Sequence, residues 1–215
     1  MPKDTTRRTG FPIAVSGPSG VGKTTIVQRI VGTDPLVTYS VSVTTRPPRR
    51  GESSGTHYEF VRDDEFDLLV EDGALAEWAE VHGYRYGTRA SAIREGLERG
   101  LDVIMDVDVQ GGMSIKRLFD EALLIFVEPP SREELEKRLR GRATDGAEVI
   151  ARRLTNAIGE LEWGPKYDHQ VINDDLDDTV RHVLDIIEET REERSPTRGS
   201  SSEPVGRSGS SGRQT

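Results

Sequence analysis

Eight consecutive residues, Gly17-Pro18-Ser19-Gly20-Val21-Gly22-Lys23-Thr24, match the pattern G-x-x-x-x-G-K-[ST] without exception. Glycines at these places let the backbone wrap so that successive N–H groups point inward at phosphate oxygens. Lys23 adds a point charge for the outer phosphates of a nucleotide, and the Thr24 hydroxyl is the magnesium ligand of this pattern. A glycine turn that contains a lysine by chance is the competing explanation. The flanks argue against it: an apolar strand-like stretch precedes the motif, and a helical spacing with its N-terminal dipole follows.

Asp106 closes the apolar run Val103-Ile104-Met105. That is where a carboxylate stands near a loop-bound metal, at the carboxyl edge of a parallel sheet. Asp108 shares a face with Asp106 in an extended chain. Two solvated strand-end acids would look alike, and the phosphate loop favours the metal. Arginines form two clusters in an otherwise acidic chain: Arg46, Arg49 and Arg50, then Arg138, Arg140, Arg142, Arg152 and Arg153. Guanidinium groups grip phosphate bidentately. Clusters on either side of a phosphate loop suggest two phosphate-bearing substrates and a closing lid. His57, His82, His169 and His182 are scattered and read as surface or packing residues.

These groups need a scaffold, and the hydrophobic pattern supplies one. Residues 11–16, 103–106 and 123–127 read as buried parallel strands, and 171–172 as a short one. Val41 and Val43 alternate with polar residues, as in a half-buried strand. Helical spacing marks residues 24–31, 63–72, 90–99, 149–161 and the run Val180, Val183, Leu184, Ile187. Gly100 reads as a helix stop, and Ser131 with Glu134 as a capping box opening a helix to Arg140. Strands alternating with helices predict an α/β fold, a parallel sheet with helices on both faces. Residues 42–88, with short strands and loops, break the alternation and read as an inserted mixed α/β subdomain.

The chain has 215 residues, 29 Lys+Arg against 38 Asp+Glu, and no cysteine. At roughly 150 residues per domain, this length suggests one domain, or one core carrying an insertion. The net charge of −9 argues against a general nucleic-acid binder. Lack of cysteine removes disulfides, thiolate metal sites and cysteine nucleophiles, and fits a cytoplasmic location. No apolar run approaches the roughly 20 residues of a membrane helix, and no secretory signal is expected. Residues 1–10 are expected to be flexible and residues 195–215, rich in Ser, Gly and Arg, to be disordered.

Taken together, Ser16 through the loop to Thr24, the stretch Ser40-Val-Ser-Val-Thr-Thr-Arg-Pro-Pro-Arg49, Gly51-Glu52, Tyr58, Glu77-Trp78, Tyr86-Gly87-Thr88 and Asp106-Val-Asp-Val-Gln-Gly111 resemble guanylate kinases. The resemblance spans residues 11–187 and implies ATP-dependent phosphorylation of GMP, and of dGMP, with Mg²⁺. It implies a kinase core (11–41, 89–137 and 149–194), a GMP-binding subdomain (42–88) and a mobile lid (138–148). By matching position, Gly17, Pro18, Ser19, Gly20, Val21, Gly22, Lys23, Thr24, Thr25 and Asn173 would hold ATP. Thr24 and Asp106 would hold the metal. Ser42, Arg46, Arg49, Tyr58 and Tyr86 would hold the GMP phosphate; Glu77 and Thr88 would read guanine. Asp108 would support that end or the metal. Lys23, Arg138, Arg142 and Arg153 would serve the transfer step. ATP and GMP are then the partners, and the oligomeric state stays open.

Two other classes remain at this stage. Guanylate-kinase-like scaffold modules keep the fold without catalysis, but this chain retains Lys23, Arg46, Arg49 and Asp106. A related kinase with another phosphorylated acceptor is disfavoured by Glu77 and Thr88. A signalling GTPase would need a guanine-reading Asn-Lys-x-Asp motif, which the sequence lacks.

Overall fold

A computed structural model describes residues 8–81, 83–141 and 147–195. Its central sheet is built from β1 (Pro12–Ser16), β2 (Val37–Tyr39), β7 (Asp102–Asp106), β8 (Leu123–Glu128) and β9 (His169–Ile172). These five strands run parallel in the order β2-β7-β1-β8-β9. Every residue of β1 is buried, as a central strand covered on both faces requires. Ile13, Val15, Ile104, Ile125 and Val127 point to one face, against α1 (Lys23–Thr33) and α7 (Leu176–Arg194). Ala14, Met105, Leu124 and Phe126 point to the other, against α3 (Ala90–Glu98) and α4 (Val109–Leu118). The expected two-sided α/β core is therefore present. Its carboxyl edge opens between β1 and β7, where open parallel sheets bind ligands.

A second sheet of four strands, in the order β4-β3-β6-β5, interrupts the alternation. It comprises β3 (Val43–Thr44), β4 (Glu59–Phe60), β5 (Leu75–Val81) and β6 (Tyr84–Arg89). The sheet is mixed, with β3 and β4 parallel and the other pairs antiparallel. Its helix α2 (Asp63–Glu71) buries Phe66, which stands edge-on to Trp78 and under the Arg85 guanidinium, 4.7 Å from the ring centre. Arg85 in turn bridges Asp63 and Asp67 on that helix. One aromatic, one cation and two acids thus tie α2 to its sheet. A third small core joins Leu135 and Leu139 of α5 (Arg132–Arg140) to Ala157 of α6 (Ala147–Leu161).

Several details depart from the sequence expectations, and α4 was not among the helices expected. Strand β2 was not predicted, and the strand expected from Val41 begins at Val43 instead. Ser131 caps α5 by accepting the Glu134 N–H at 3.1 Å, but the Glu134 carboxylate turns to Lys137 and Arg138 rather than closing a box. The lid expected at 138–148 overlaps regular structure at both ends, since α5 runs through Arg140 and α6 begins at Ala147. Arg8 donates to the Gly100 carbonyl and to the buried Asp102, which Arg191 also engages at 2.8 Å. The chain is therefore docked from Arg8 onward, earlier than the flexible arm expected through residue 10. Residues 1–7, His82, residues 142–146 (with the lid centre and Arg142) and residues 196–215 lie outside the described residues. Among those described, no helix is long and apolar enough to cross a membrane.

Candidate active site

Gly17 turns the chain out of β1 at a φ of +140°, and a Cβ there would lie 2.2 Å from the Val127 carbonyl oxygen. Only glycine passes that close to a neighbouring strand in that conformation. The loop then runs into α1, whose first turn carries no acidic side chain, so the positive helix end is left for a ligand. Lys23 Nζ donates to the carbonyls of Gly17 (2.6 Å) and Pro18 (3.2 Å), which holds the ammonium across the loop mouth.

Asn173 lies behind the loop. Its Nδ2 donates to the Val21 carbonyl at 2.7 Å, and its Oδ1 accepts from Thr179. This side chain braces the loop from behind, as a buried amide must satisfy its donors and acceptor.

The two residues expected to hold a metal meet at the carboxyl edge of the sheet. Thr24 Oγ1 donates to Asp106 Oδ2 at 2.5 Å, and the Tyr39 hydroxyl donates to Asp106 Oδ1 at 2.7 Å. Among the described residues, no group of three or more His, Cys, Asp or Glu is placed to hold a metal. A cation here would find one carboxylate and one hydroxyl and complete its shell with water and phosphate oxygens. Magnesium binds in that way, so these residues fit it.

Across the cleft the acceptor side is made of side chains. Arg46 is buried, with its Nη2 2.9 Å from Glu52 and its Nη1 donating to the Pro47 carbonyl at 2.8 Å. Its guanidinium lies 5.2 Å from the centre of the Tyr58 ring, which meets Tyr86 edge-on. The second oxygen of Glu52 accepts the Arg49 N–H at 2.8 Å. Glu52 therefore organises both arginine positions, a role that its place in the sequence does not reveal. Arg49 and Arg50 are exposed. Ser42, Tyr58 and Tyr86 line the cleft.

Glu77 and Thr88 face each other across β5 and β6, and Thr88 Oγ1 donates to Glu77 Oε1 at 2.6 Å. Burial pushes the Glu77 carboxyl up to about 7, with the nearby Asp108 adding to the effect and Thr88 opposing it. A Cβ on Gly111 would lie 2.9 Å from Glu77 Oε2, so a glycine lets the carboxylate come up to α4. Asp108 caps that helix through the Gly111 N–H at 2.7 Å.

A cleft of about 490 Å³ runs from Gly17, Ser19, Lys23 and Thr24 past Asp106 and Asp108 to Glu77. Helix α6 closes one side with Asn156 and Glu160, which the sequence reading passed over. Glu160 Oε2 accepts the Ser19 N–H at 3.2 Å, so a carboxylate already addresses the phosphate loop. Its burial raises the carboxyl while Lys23 opposes the rise. Arg153 is partly buried on the same helix, and its spacing of i, i+3 and i+7 from Asn156 and Glu160 puts all three on one face. Arg138 lies in α5, bonded to Glu134 at 3.2 Å.

The guanylate kinase family profile matches residues 9–190. A guanylate kinase from Syntrophotalea carbinolica is 48% identical over 184 residues, covering 84% of this chain and 86% of its own. One from Desulfitobacterium hafniense is 42% identical over 190 residues, covering 87% of this chain and 94% of its own. The crystal structure of guanylate kinase from Anaplasma phagocytophilum superposes with a TM-score of 0.71 at 30% identity, covering 89% of each chain. With a phosphate loop at one end of the cleft and a Glu–Thr pair at the other, the chain belongs to the guanylate kinase family.

Proposed function

We propose that the cleft transfers the terminal phosphoryl group of ATP to the phosphate of GMP, giving ADP and GDP, and that dGMP is accepted with it. The observation that carries this reading is Glu77, which lines one cleft with the phosphate loop and accepts a bond from the buried Thr88. Guanine presents N1–H and the N2 amino group as adjacent donors, and a carboxylate offers two acceptors to match. Adenine has a lone pair at N1, which would face a carboxylate oxygen. A buried mismatch of this kind discriminates by about 10⁴–10⁵.

The acceptor is already an anion, so the transfer needs alignment and charge neutralisation rather than a general base. Loop N–H groups and Lys23 hold the ATP phosphates, with Thr25 following in the first turn of α1. Ser42, Arg46, Arg49, Tyr58 and Tyr86 hold the GMP phosphate, and Asp108 steadies the base end beside Glu77. Arg153, with Arg142 and Arg138 from the flanking segment, covers the transferring group when the lid closes. Thr24 and Asp106 would hold magnesium. When bound, that ion neutralises charge on the outer phosphates.

A coupled assay of ADP release across GMP, dGMP, AMP, CMP and a ribose bisphosphate tests the reading. Turnover with GMP and dGMP far above the rest is the expected result. Equal turnover of AMP and GMP would overturn the assignment of Glu77 and Thr88.

A further inference from the structure

Tyr39 carries no motif that marks it in the sequence, yet its phenol is built into the corner that holds Thr24 and Asp106. It ends β2, the edge strand, in register with Ile104 on β7, so its side chain reaches forward toward Asp106. Its hydroxyl donates to Asp106 Oδ1 at 2.7 Å, while the Thr24 hydroxyl donates to Oδ2 at 2.5 Å. Each carboxylate oxygen thus receives one donor, and the two donors come from different elements, β2 and α1. That pins both side-chain torsions of Asp106, which would otherwise sample several rotamers.

We propose that Tyr39 is a positioning residue for the cleft: it holds the Asp106 carboxylate in the orientation that takes the cation of the nucleotide–metal complex. This rests on the reading of Thr24 and Asp106 as the metal-holding pair. Groups that orient a ligating carboxylate typically account for 10–100-fold in metal affinity.

The surroundings of the phenol suit that task. The side chain is half-buried and lines the same cleft as Thr24 and Asp106. Phenylalanine would fill the same space and keep the strand, while deleting this one oxygen.

The test uses Mn²⁺ as the probe, titrated into the ADP complex of the full chain and read by electron paramagnetic resonance. Wild type is compared with Asp106→Asn and Tyr39→Phe, each checked for melting temperature. Asp106→Asn should weaken Mn²⁺ strongly, and Tyr39→Phe should weaken it about tenfold. In turnover, Tyr39→Phe should lose kcat at limiting metal and regain most of it at saturating Mn²⁺, with the KM for GMP nearly fixed. A packing defect would not be repaired by metal, so this pattern separates positioning from structure even if melting drops. Mn²⁺ affinity within twofold of wild type in Tyr39→Phe, beside a clear loss in Asp106→Asn, would overturn the proposal and leave the metal site standing. Unchanged affinity in Asp106→Asn would overturn the metal site itself.

Discussion

The phosphate loop would meet a ligand with backbone N–H groups fixed between β1 and α1, braced from behind by Asn173. The proposed acceptor side would meet its ligand with side chains of the inserted subdomain, already paired to one another: Arg46 with Glu52, Glu77 with Thr88. A backbone site is formed before the ligand arrives and has few internal partners to release. A side-chain site must exchange partners, since the GMP phosphate has to compete with Glu52 for Arg46. The first kind of site contributes mainly alignment. The second contributes selectivity, because each exchange succeeds only with a ligand that offers matching groups.

Lys23 stands where the two kinds meet, and its loss should have the largest effect. Lys23→Ala is expected to lower kcat about 10³-fold, and Arg153→Ala similarly with nucleotide KM values little moved, as for donors aimed at developing charge. Steady-state kinetics with a melting curve checks both; kcat within a few-fold of wild type would return these residues to structural duty. Next in size, Arg46→Ala should raise the KM for GMP about 100-fold while leaving that for ATP near wild type, because it grips the acceptor in ground and transition states alike. Equal shifts in both KM values would erase the contrast between the two sides.

Proton linkage sharpens the comparison further. Glu77 binds a proton with a pKa of about 7 in the empty cleft, whereas two guanine donors require its carboxylate. GMP binding must therefore release that proton at low pH. The dissociation constant should be flat above pH 7 and rise about tenfold per unit below it, as single-proton linkage requires. The GMP phosphate itself titrates near about 6, so Glu77→Gln serves as the control and should retain only that shallower dependence. Stability of the empty protein follows the same sign. The folded carboxyl binds its proton more tightly than the ordinary value of 4.5, so its contribution is full below 4.5 and lost as pH rises through about 7. The smallest effect should come from Glu52→Gln. It removes the charge opposing phosphate but loosens the arginine pair, so the KM for GMP should move by no more than about fivefold.

Much of this architecture was legible in the sequence for physical reasons. The buried runs 103–106 and 123–127 could be strands of little but a parallel sheet, and the phosphate loop needs particular residues at particular places because its backbone is strained and crowded. Strand β2 was not legible. It has three residues, too few to establish a period, and it took with it Tyr39 and that tyrosine's bond to Asp106. Glu52 was visible as a motif letter, but its work depends on a loop folding back on Arg46, which no spacing rule conveys. The polar face of α6 was readable in principle, since Arg153, Asn156 and Glu160 follow helical spacing. The search for apolar faces passed over it. Asn173 was placed by resemblance, and its buried bond to Val21 required coordinates.

The chain has two tryptophans, and the fold has put one in each region. Trp78 follows Glu77 on β5, half exposed and edge-on to Phe66. Trp163 sits beside the core with the Lys166 ammonium 3.8 Å from its ring centre. Indole emission shifts with local polarity and field, so the protein carries its own paired optical reporters. Light from Trp78 should follow the acceptor subdomain as GMP enters, with Trp163 as the internal standard. Replacing either by phenylalanine would isolate the other, and stopped-flow records could then time acceptor binding apart from chemistry without attaching any dye.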